Sequence, residues 1–230
     1  MNFIKRKVFS VFGKALVKDA IVLDVRAWEP AIFFEVDVHF PQVDMSAWTR
    51  SPYMKIHVGD GYYRDYSPAK WDTVKRTCTL YIDAVQDGPG SRWVKGLQAG
   101  TEINYRGPKS TSHQPPEEGG KIVVLGDSSA VGHFLALKQL AGNRSFTGAI
   151  AVASEQHIAT FRNTLPWEVK PVMQDDEGGF SALLKWSETQ DLTDTEVFIV
   201  GHIPTCVRLR KALRLRKDGP RAIRVQGFWK

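Results

Sequence analysis

Four consecutive residues, Arg64-Asp65-Tyr66-Ser67, put a guanidinium, a carboxylate, a phenol and a hydroxyl on one short segment. A planar guanidinium can hold a phosphate through two parallel charge-assisted bonds, and an aromatic face can stack on a planar ring and shield one side of it from water. A second segment, Asp87-Gly88-Pro89-Gly90-Ser91-Arg92-Trp93, is a glycine-rich turn. Gly88 and Gly90 permit close approach of a ligand to the backbone, and Ser91 is placed to cap a helix opening at Arg92-Trp93. A third segment, Gly126-Asp127-Ser128-Ser129-Ala130, follows an apolar run directly. Small residues keep that turn tight, either Ser128 or Ser129 can cap the next helix, and the free N–H groups of a helix start suit a pyrophosphate. It is not a GxGxxG fingerprint.

Taken singly, each segment has an ordinary explanation: an edge strand, a hairpin turn, the strand–turn–helix joint of any α/β domain. Other chemistries are poorly served. The six His residues, at 39, 57, 113, 133, 157 and 202, show no His-x-x-x-His or Glu-x-x-His spacing, so no dedicated metal site is expected. Cys78 and Cys206 lie far apart, which supports neither a disulfide framework nor a thiolate metal or iron–sulfur site. No nucleophile-and-base arrangement stands out. Redox chemistry would have to come from an organic cofactor.

The elements that must position these segments fall into two halves. Up to about Arg106 the chain reads as short strands, with apolar alternation at 32–40, 53–58, 78–85 and 101–105 and turns at Gly59-Asp60-Gly61 and Asp87–Gly90. Such a run predicts an antiparallel barrel. The stretch from Gly107 to Gly120 mixes Pro, Gly, Ser and charge, as interdomain linkers do. After it, apolar runs at 121–126, 148–153, 168–173, 195–201 and 222–227 alternate with helical patterns, the last over 204–216, which predicts a parallel sheet covered on both faces. The division expected is a barrel domain over 1–113, a linker over 114–120 and an α/β domain over 121–230.

In this order, the segments resemble those of the siderophore-interacting proteins, FAD-dependent ferric-siderophore reductases of the ferredoxin-reductase superfamily. Arg64, Tyr66 and Ser67 match the Arg-x-Tyr-Ser/Thr signature, Asp87–Trp93 the Gly-Pro-x-Ser-x-Trp segment, Gly126–Ala130 a Gly-Asp-x-Ser/Thr-Ala turn, and 197–214 with Val225–Lys230 the late strand, helix and aromatic tail. The resemblance runs from roughly Val17 to Lys230. It implies a six-stranded FAD-binding barrel followed by a Rossmann-like nicotinamide-binding domain. FAD would then be held by Arg64, Tyr66, Ser67, Val85, Gly88, Gly90, Ser91, Trp93 and Trp229, and NADH or NADPH by Gly126, Asp127, Ser128, Ser129 and Ala130. Phe228 or Trp229 would cover the flavin ring. Lys55, Lys109 and Lys230 would line a cationic cleft for the ferric siderophore.

Two departures stand out. Where the family carries another Arg after its flavin signature, this chain has Pro68-Ala69-Lys70-Trp71, leaving Lys70 as a substitute near a phosphate; and His202 replaces an acidic residue at the late strand end. Ser154-Glu155-Gln156-His157 and Arg162 leave NADH against NADPH open. A ferredoxin-dependent or general flavin reductase, and a flavin- or siderophore-binding protein without turnover, remain as alternatives.

Composition sets outer bounds. With 230 residues, 43% of them hydrophobic and 24% charged, the chain can bury the cores of two domains. The formal charge of +6 suits anionic partners, and the basic run from Val207 to Lys217 reads as a solvated helix face, able to meet an acidic ferredoxin or a 2′-phosphate, rather than as a nucleic-acid element. Lys14, Lys18 and Asp19 interrupt the apolar residues near the start, which predicts no membrane insertion, and the opening lacks the features of a secretory leader. A cytoplasmic monomer is the expectation.

Overall fold

A computed structural model describes residues 17–116, 119–164 and 168–230. The basic opening read from the sequence lies outside these residues. The first half is one antiparallel sheet of seven strands: β1 Lys18–Trp28, β2 Phe33–His39, β3 Pro52–His57, β4 Tyr63–Tyr66, β5 Pro68–Asp72, β6 Thr77–Asp83 and β7 Glu102–Ser110. The order is β4-β3-β7-β1-β2-β6-β5, so the two ends of the sheet are strands joined in the chain by Ser67 alone. That junction closes the sheet into a barrel. The six strands expected become seven because the fourth breaks there: β4 pairs with β3, and β5 with β6.

Alternation made β2 and β6 easy to read, because in a barrel every second side chain enters the core. Val36, Val38, Leu80 and Ile82 do so, with Phe40 and Tyr105 packed edge to face. β1 is less regular because a bulge between Val22 and Asp24 shifts the phase of its side chains. Ala20 and Val22 point inward before it, while Ile21 and Leu23 are left exposed. Among the described residues, one helix belongs to this half, α1 Pro89–Lys95. β7 extends through Gly107-Pro108-Lys109-Ser110, pairing Tyr53 with Lys109, so the Pro/Gly-rich stretch begins as strand.

The second half is a five-stranded parallel sheet in the order β10-β9-β8-β11-β12, formed by β8 Lys121–Asp127, β9 Phe146–Val152, β10 Glu168–Met173, β11 Thr195–His202 and β12 Ala222–Trp229. Helices α2 Val131–Ala141, α3 Glu155–Thr164, α4 Phe180–Glu188 and α5 Ile203–Arg214 connect them. β8 and β11 are buried along nearly their whole length, as their uninterrupted apolar runs require. On α5, Leu209 and Leu213 face inward and Arg210, Lys211 and Arg214 face out, whereas Val207 and Leu215 are exposed despite their apolar character.

The two halves share a core. Trp28, Phe33, Ala69 and Tyr81 of the barrel pack with Val131, Phe134, Ile150 and Phe161 of the α/β layer. His157, read from sequence as one of several polar groups near a nucleotide phosphate, is buried instead against Trp28 and Phe33. Gln139 of α2 donates to the Trp71 carbonyl at 2.9 Å and accepts from its N–H at 3.1 Å, completing exposed backbone of β5. His113 and His133 are both fully buried, with their ring nitrogens 2.9 Å apart, tying the connector to α2.

Burial pushes His113 down to about 4 and His133 well below its ordinary value. Both are therefore neutral in the fold but titrate near 6.5 when unfolded. Their contribution to stability is present above that value and is lost as the pH falls toward 4, because the unfolded chain takes up protons that the fold refuses. The melting temperature should drop on acidification from pH 6.5 to 4.5, and the His113→Leu/His133→Leu double variant should flatten that drop. The shared core gives a second expectation. Phe33→Ala should cost about 3–5 kcal/mol in urea unfolding, and calorimetry should show one transition for both halves; two resolved transitions would contradict it.

Candidate functional site

Between the barrel and the carboxyl ends of the parallel strands lies a cleft of about 890 Å³. This is the place where open α/β sheets bind ligands, since loops diverge there from strands that run on either side of a switch in connection order. Four stretches of sequence line it: Tyr63–Ser67, Tyr81–Ser91, Asp127–Gly132 and Gln226–Trp229, with Lys55, Ala153 and Gln174 between them.

Arg64 and Tyr66 sit on β4, the short strand that ends where the barrel bends. Arg64 is exposed and donates to the Tyr63 carbonyl at 2.9 Å. Among the described residues its guanidinium forms no ion pair. Tyr66 stacks on Trp93 of α1 with ring centres 5.8 Å apart and planes 19° from parallel. Burial raises its phenol well above the ordinary range, so it stays neutral. The Tyr66 hydroxyl lies where a side chain at residue 90 would begin, 2.8 Å from an ideal Cβ, so the aromatic pair requires Gly90. Around Gly88, in contrast, the protein leaves open space.

Ser91 does not cap α1. The helix begins earlier, at Pro89, with Gly88 at the cap position, and the Ser91 hydroxyl donates to the Gln86 carbonyl at 2.5 Å. The pyrrolidine ring explains the shift, since Pro is pre-set for a first helical turn. The cap of the third segment is likewise neither serine. Asp127 accepts from the Ser129 N–H at 2.9 Å and from its hydroxyl, and also from the His202 N–H at 2.6 Å. Gly201 makes this possible: its φ of +122° is foreign to other residues, and a Cβ there would lie 2.1 Å from the Asp127 carboxylate. Burial drives the Asp127 carboxyl above its usual range, and the bonds from Ser129 and His202 oppose that rise.

Of the remaining expected residues, Val85, Ser128 and Ser129 line the cleft. Gly126 and Ala130 are packed beneath it, with a Cβ on Gly126 only 2.3 Å from the Val200 carbonyl. Lys55 reaches the cleft but is paired with Asp65 at 2.8 Å. Lys109 and Lys230 are exposed and outside the lining, and Lys70 points over the Tyr81 ring at 5.3 Å. Arg162 is exposed on α3, also outside the lining. β12 carries Phe228 and Trp229 into the cleft lining, where the Trp229 ring centre lies 4.4 Å from that of His202. His202 Nδ1 in turn sits 3.0 Å from the Thr205 hydroxyl.

The fold of the whole chain is matched by solved structures. A siderophore-interacting protein from Acinetobacter baumannii superposes with a TM-score of 0.72 over 93% of this chain and 90% of its own, at 15% identity. A siderophore utilization protein from T. fusca gives 0.73 over 93% and 92%, at 18% identity. The ferredoxin reductase in carbazole 1,9a-dioxygenase gives 0.75 over 93% of this chain and 69% of its own, at 17% identity. The chain shares the architecture of these structures, an antiparallel barrel followed by a parallel α/β sheet. No family model matches the sequence, and no curated protein matches it. At these identities the likeness establishes architecture, and the residues of the cleft must carry any statement about chemistry.

One such residue carried no mark in the sequence motifs. Asp83 ends β6 and faces the cleft; it accepts from the Ser128 hydroxyl and from the Val85 N–H at 2.9 Å, and burial raises its carboxyl above the usual range. It thus joins the two halves at the cleft floor. An acidic residue closing the run Leu80-Tyr81-Ile82 was the available signal.

The two glycines give contrasting expectations. Gly201→Ala should lower stability by roughly 1–3 kcal/mol or more, because the backbone is strained and Asp127 is displaced. Gly88→Ala, which meets open space and loses only the preference for glycine at an N-cap, should cost no more than about 1 kcal/mol. Urea titration of both variants checks the pair.

Proposed function

We propose that this chain is a flavin-dependent oxidoreductase that holds FAD across the barrel side of the cleft and receives electrons from NADH or NADPH. Its acceptor is Fe(III) in a siderophore, which it reduces to Fe(II). The observation that supports this reading most strongly is the convergence of four segments, 63–67, 81–91, 127–132 and 226–229, on one cleft at the carboxyl ends of the parallel strands. They are far apart in the chain, and only a ligand that spans both halves uses all of them.

The residues present fit a dinucleotide. The cleft is within the range of about 300–1,000 Å³ usual for organic ligands. Arg64 offers a guanidinium not engaged by a carboxylate of the described chain, and Gly88, Gly90 and Ser91 at the start of α1 line the same cleft. Val85 presents an exposed apolar surface where a ring system would otherwise meet water. When bound, the flavin supplies acceptance of a hydride and release of single electrons.

The protein's part is to position, shield and tune. Tyr66, held by its stack on Trp93, gives a fixed apolar face, and Ser67 at the strand break brings a hydroxyl to the same side. Ser128 and Ser129 form the turn between β8 and α2 in the cleft lining, on the side from which a nicotinamide would approach. Trp229, leaning on His202, occupies the space between the two halves and excludes water until a ligand displaces it. A second reading stays within the same fold: a reductase whose partner is an acidic ferredoxin. It is favoured by the outward face of α5, where Arg210, Lys211 and Arg214 lie together in solvent, and by the likeness to a ferredoxin reductase.

The purified protein should be yellow. Arg64→Ala should weaken flavin binding roughly 10- to 100-fold, the worth of about 1.5–3 kcal/mol for a charge-assisted bond, measured by fluorescence titration of the free cofactor. Anaerobic NADH or NADPH should bleach the flavin band, and a ferric hydroxamate with an Fe(II) trap should then restore it. A colourless preparation that binds no FAD would overturn the proposal.

A further inference from the structure

Resting on the reductase reading, we infer that Asp83 is a positioning residue: by bonding both walls of the cleft it fixes the turn after β8 against the barrel, and so governs the entry of electrons without holding the flavin. Asp83 ends β6 and stands half-exposed in the cleft lining. Its two carboxylate oxygens are divided between the two halves of the protein. Oδ1 accepts from the Val85 N–H at 2.9 Å, closing a tight turn at the entry to Gln86–Ser91. Oδ2 accepts from the hydroxyl of Ser128, which belongs to the helical turn Ser128–Ala130 between β8 and α2. The preceding residue, Asp127, accepts from the Ser129 N–H at 2.9 Å and the His202 N–H at 2.6 Å. Side-chain hydrogen bonds thus cross the cleft floor from the turn before α1 to the end of β11.

The segment 128–132 is held against the barrel at two points. At Gly132 an added Cβ would lie 2.8 Å from the Ser67 carbonyl, so the helix and the strand break touch there. Ser128 stands four residues earlier, about 6 Å along a helix axis, and is tied to Asp83. One contact alone leaves a pivot; two contacts a turn apart fix both position and rotation. The apolar packing of Val131 and Phe134 behind this segment is non-directional, whereas a hydrogen bond sets a distance and an angle. Asp83 therefore places Ser128 and Ser129, on the α/β side of the lining, relative to Ser67 and Val85 on the barrel side.

Bridging, rather than charge, is what the geometry asks of this residue. An amide at position 83 keeps both bonds, since its oxygen can accept from Val85 and its NH2 can donate to the Ser128 oxygen. An alanine keeps neither.

The test uses the full chain with its flavin. Amide hydrogen exchange reads the bridge itself: Asp83→Ala should speed exchange roughly tenfold in both 84–91 and 127–132 while leaving β2 unchanged, and Asp83→Asn should leave both segments near the parent. Ser128→Ala breaks the same bond from the other side and should give the same paired change, which serves if the Asp83→Ala chain does not fold. Exchange that is unchanged, or faster in one segment alone, would overturn the inference. The functional readout is anaerobic bleaching of the flavin at saturating NADH or NADPH. Asp83→Ala and Ser128→Ala should lower the limiting rate roughly 10- to 100-fold, as a misplacement of about 1 Å does, with the FAD dissociation constant within about threefold of the parent. Asp83→Asn should restore most of that rate. Equal losses in the alanine and asparagine variants, or FAD binding weakened as much as in Arg64→Ala, would also overturn it. A parent chain that holds FAD yet is bleached by neither nicotinamide would count against the donor in the reductase reading, and the exchange measurements would still decide the role of Asp83.

Discussion

The cleft depends on one backbone contact. Where the fourth barrel strand breaks, the Ser67 carbonyl lies so near the first helix of the α/β layer that a Cβ on Gly132 would be 2.8 Å from it. Only a glycine on that helix lets the two layers approach to this distance. The approach allows Phe33, Ala69 and Tyr81 to enter a common core with Val131 and Phe134, and it aligns Gln139 with the Trp71 backbone. Two layers that would otherwise each own a core are joined, with a groove at their seam.

The same break closes the barrel. Because β4 and β5 are successive in the chain but lie at opposite ends of the sheet order, the bend at Ser67 is both a topological closure and a presentation device. It turns Arg64, Tyr66 and Ser67 toward the seam instead of burying them in a continuous strand. Opposite them, the Asp127 carboxylate organises the α/β side by accepting from Ser129 and His202, which links the ends of β8 and β11, the two strands that flank the switch in connection order. The site is therefore assembled from strand ends held by backbone hydrogen bonds, with the exposed charges at the rim.

Several side chains change meaning once placed. His157 and His133, polar in sequence, are packing groups between layers. Lys55 and Asp65 are separated in the chain by the hairpin between β3 and β4, yet they stand directly opposite each other across those strands, which makes the lysine part of an ion pair before any ligand arrives. Lys70 stands over the ring of Tyr81.

What the sequence determined by itself was periodic or local. Alternation announced β2, β3 and β6, uninterrupted apolar runs announced β8 and β11, and Pro89 with its flanking glycines marked a turn, because burial on one or two faces and restricted backbone freedom leave their trace residue by residue. The four segments of the cleft were likewise visible as short patterns in order. Tertiary structure alone decided which of their atoms meet. It put Asp127 rather than a serine at the cap, started α1 at Pro89, brought Asp83 to Ser128, and left Lys109 and Lys230 outside. Those outcomes rest on register between strands and on the distance between two layers, quantities that depend on residues distant in the chain and so leave no local period to read.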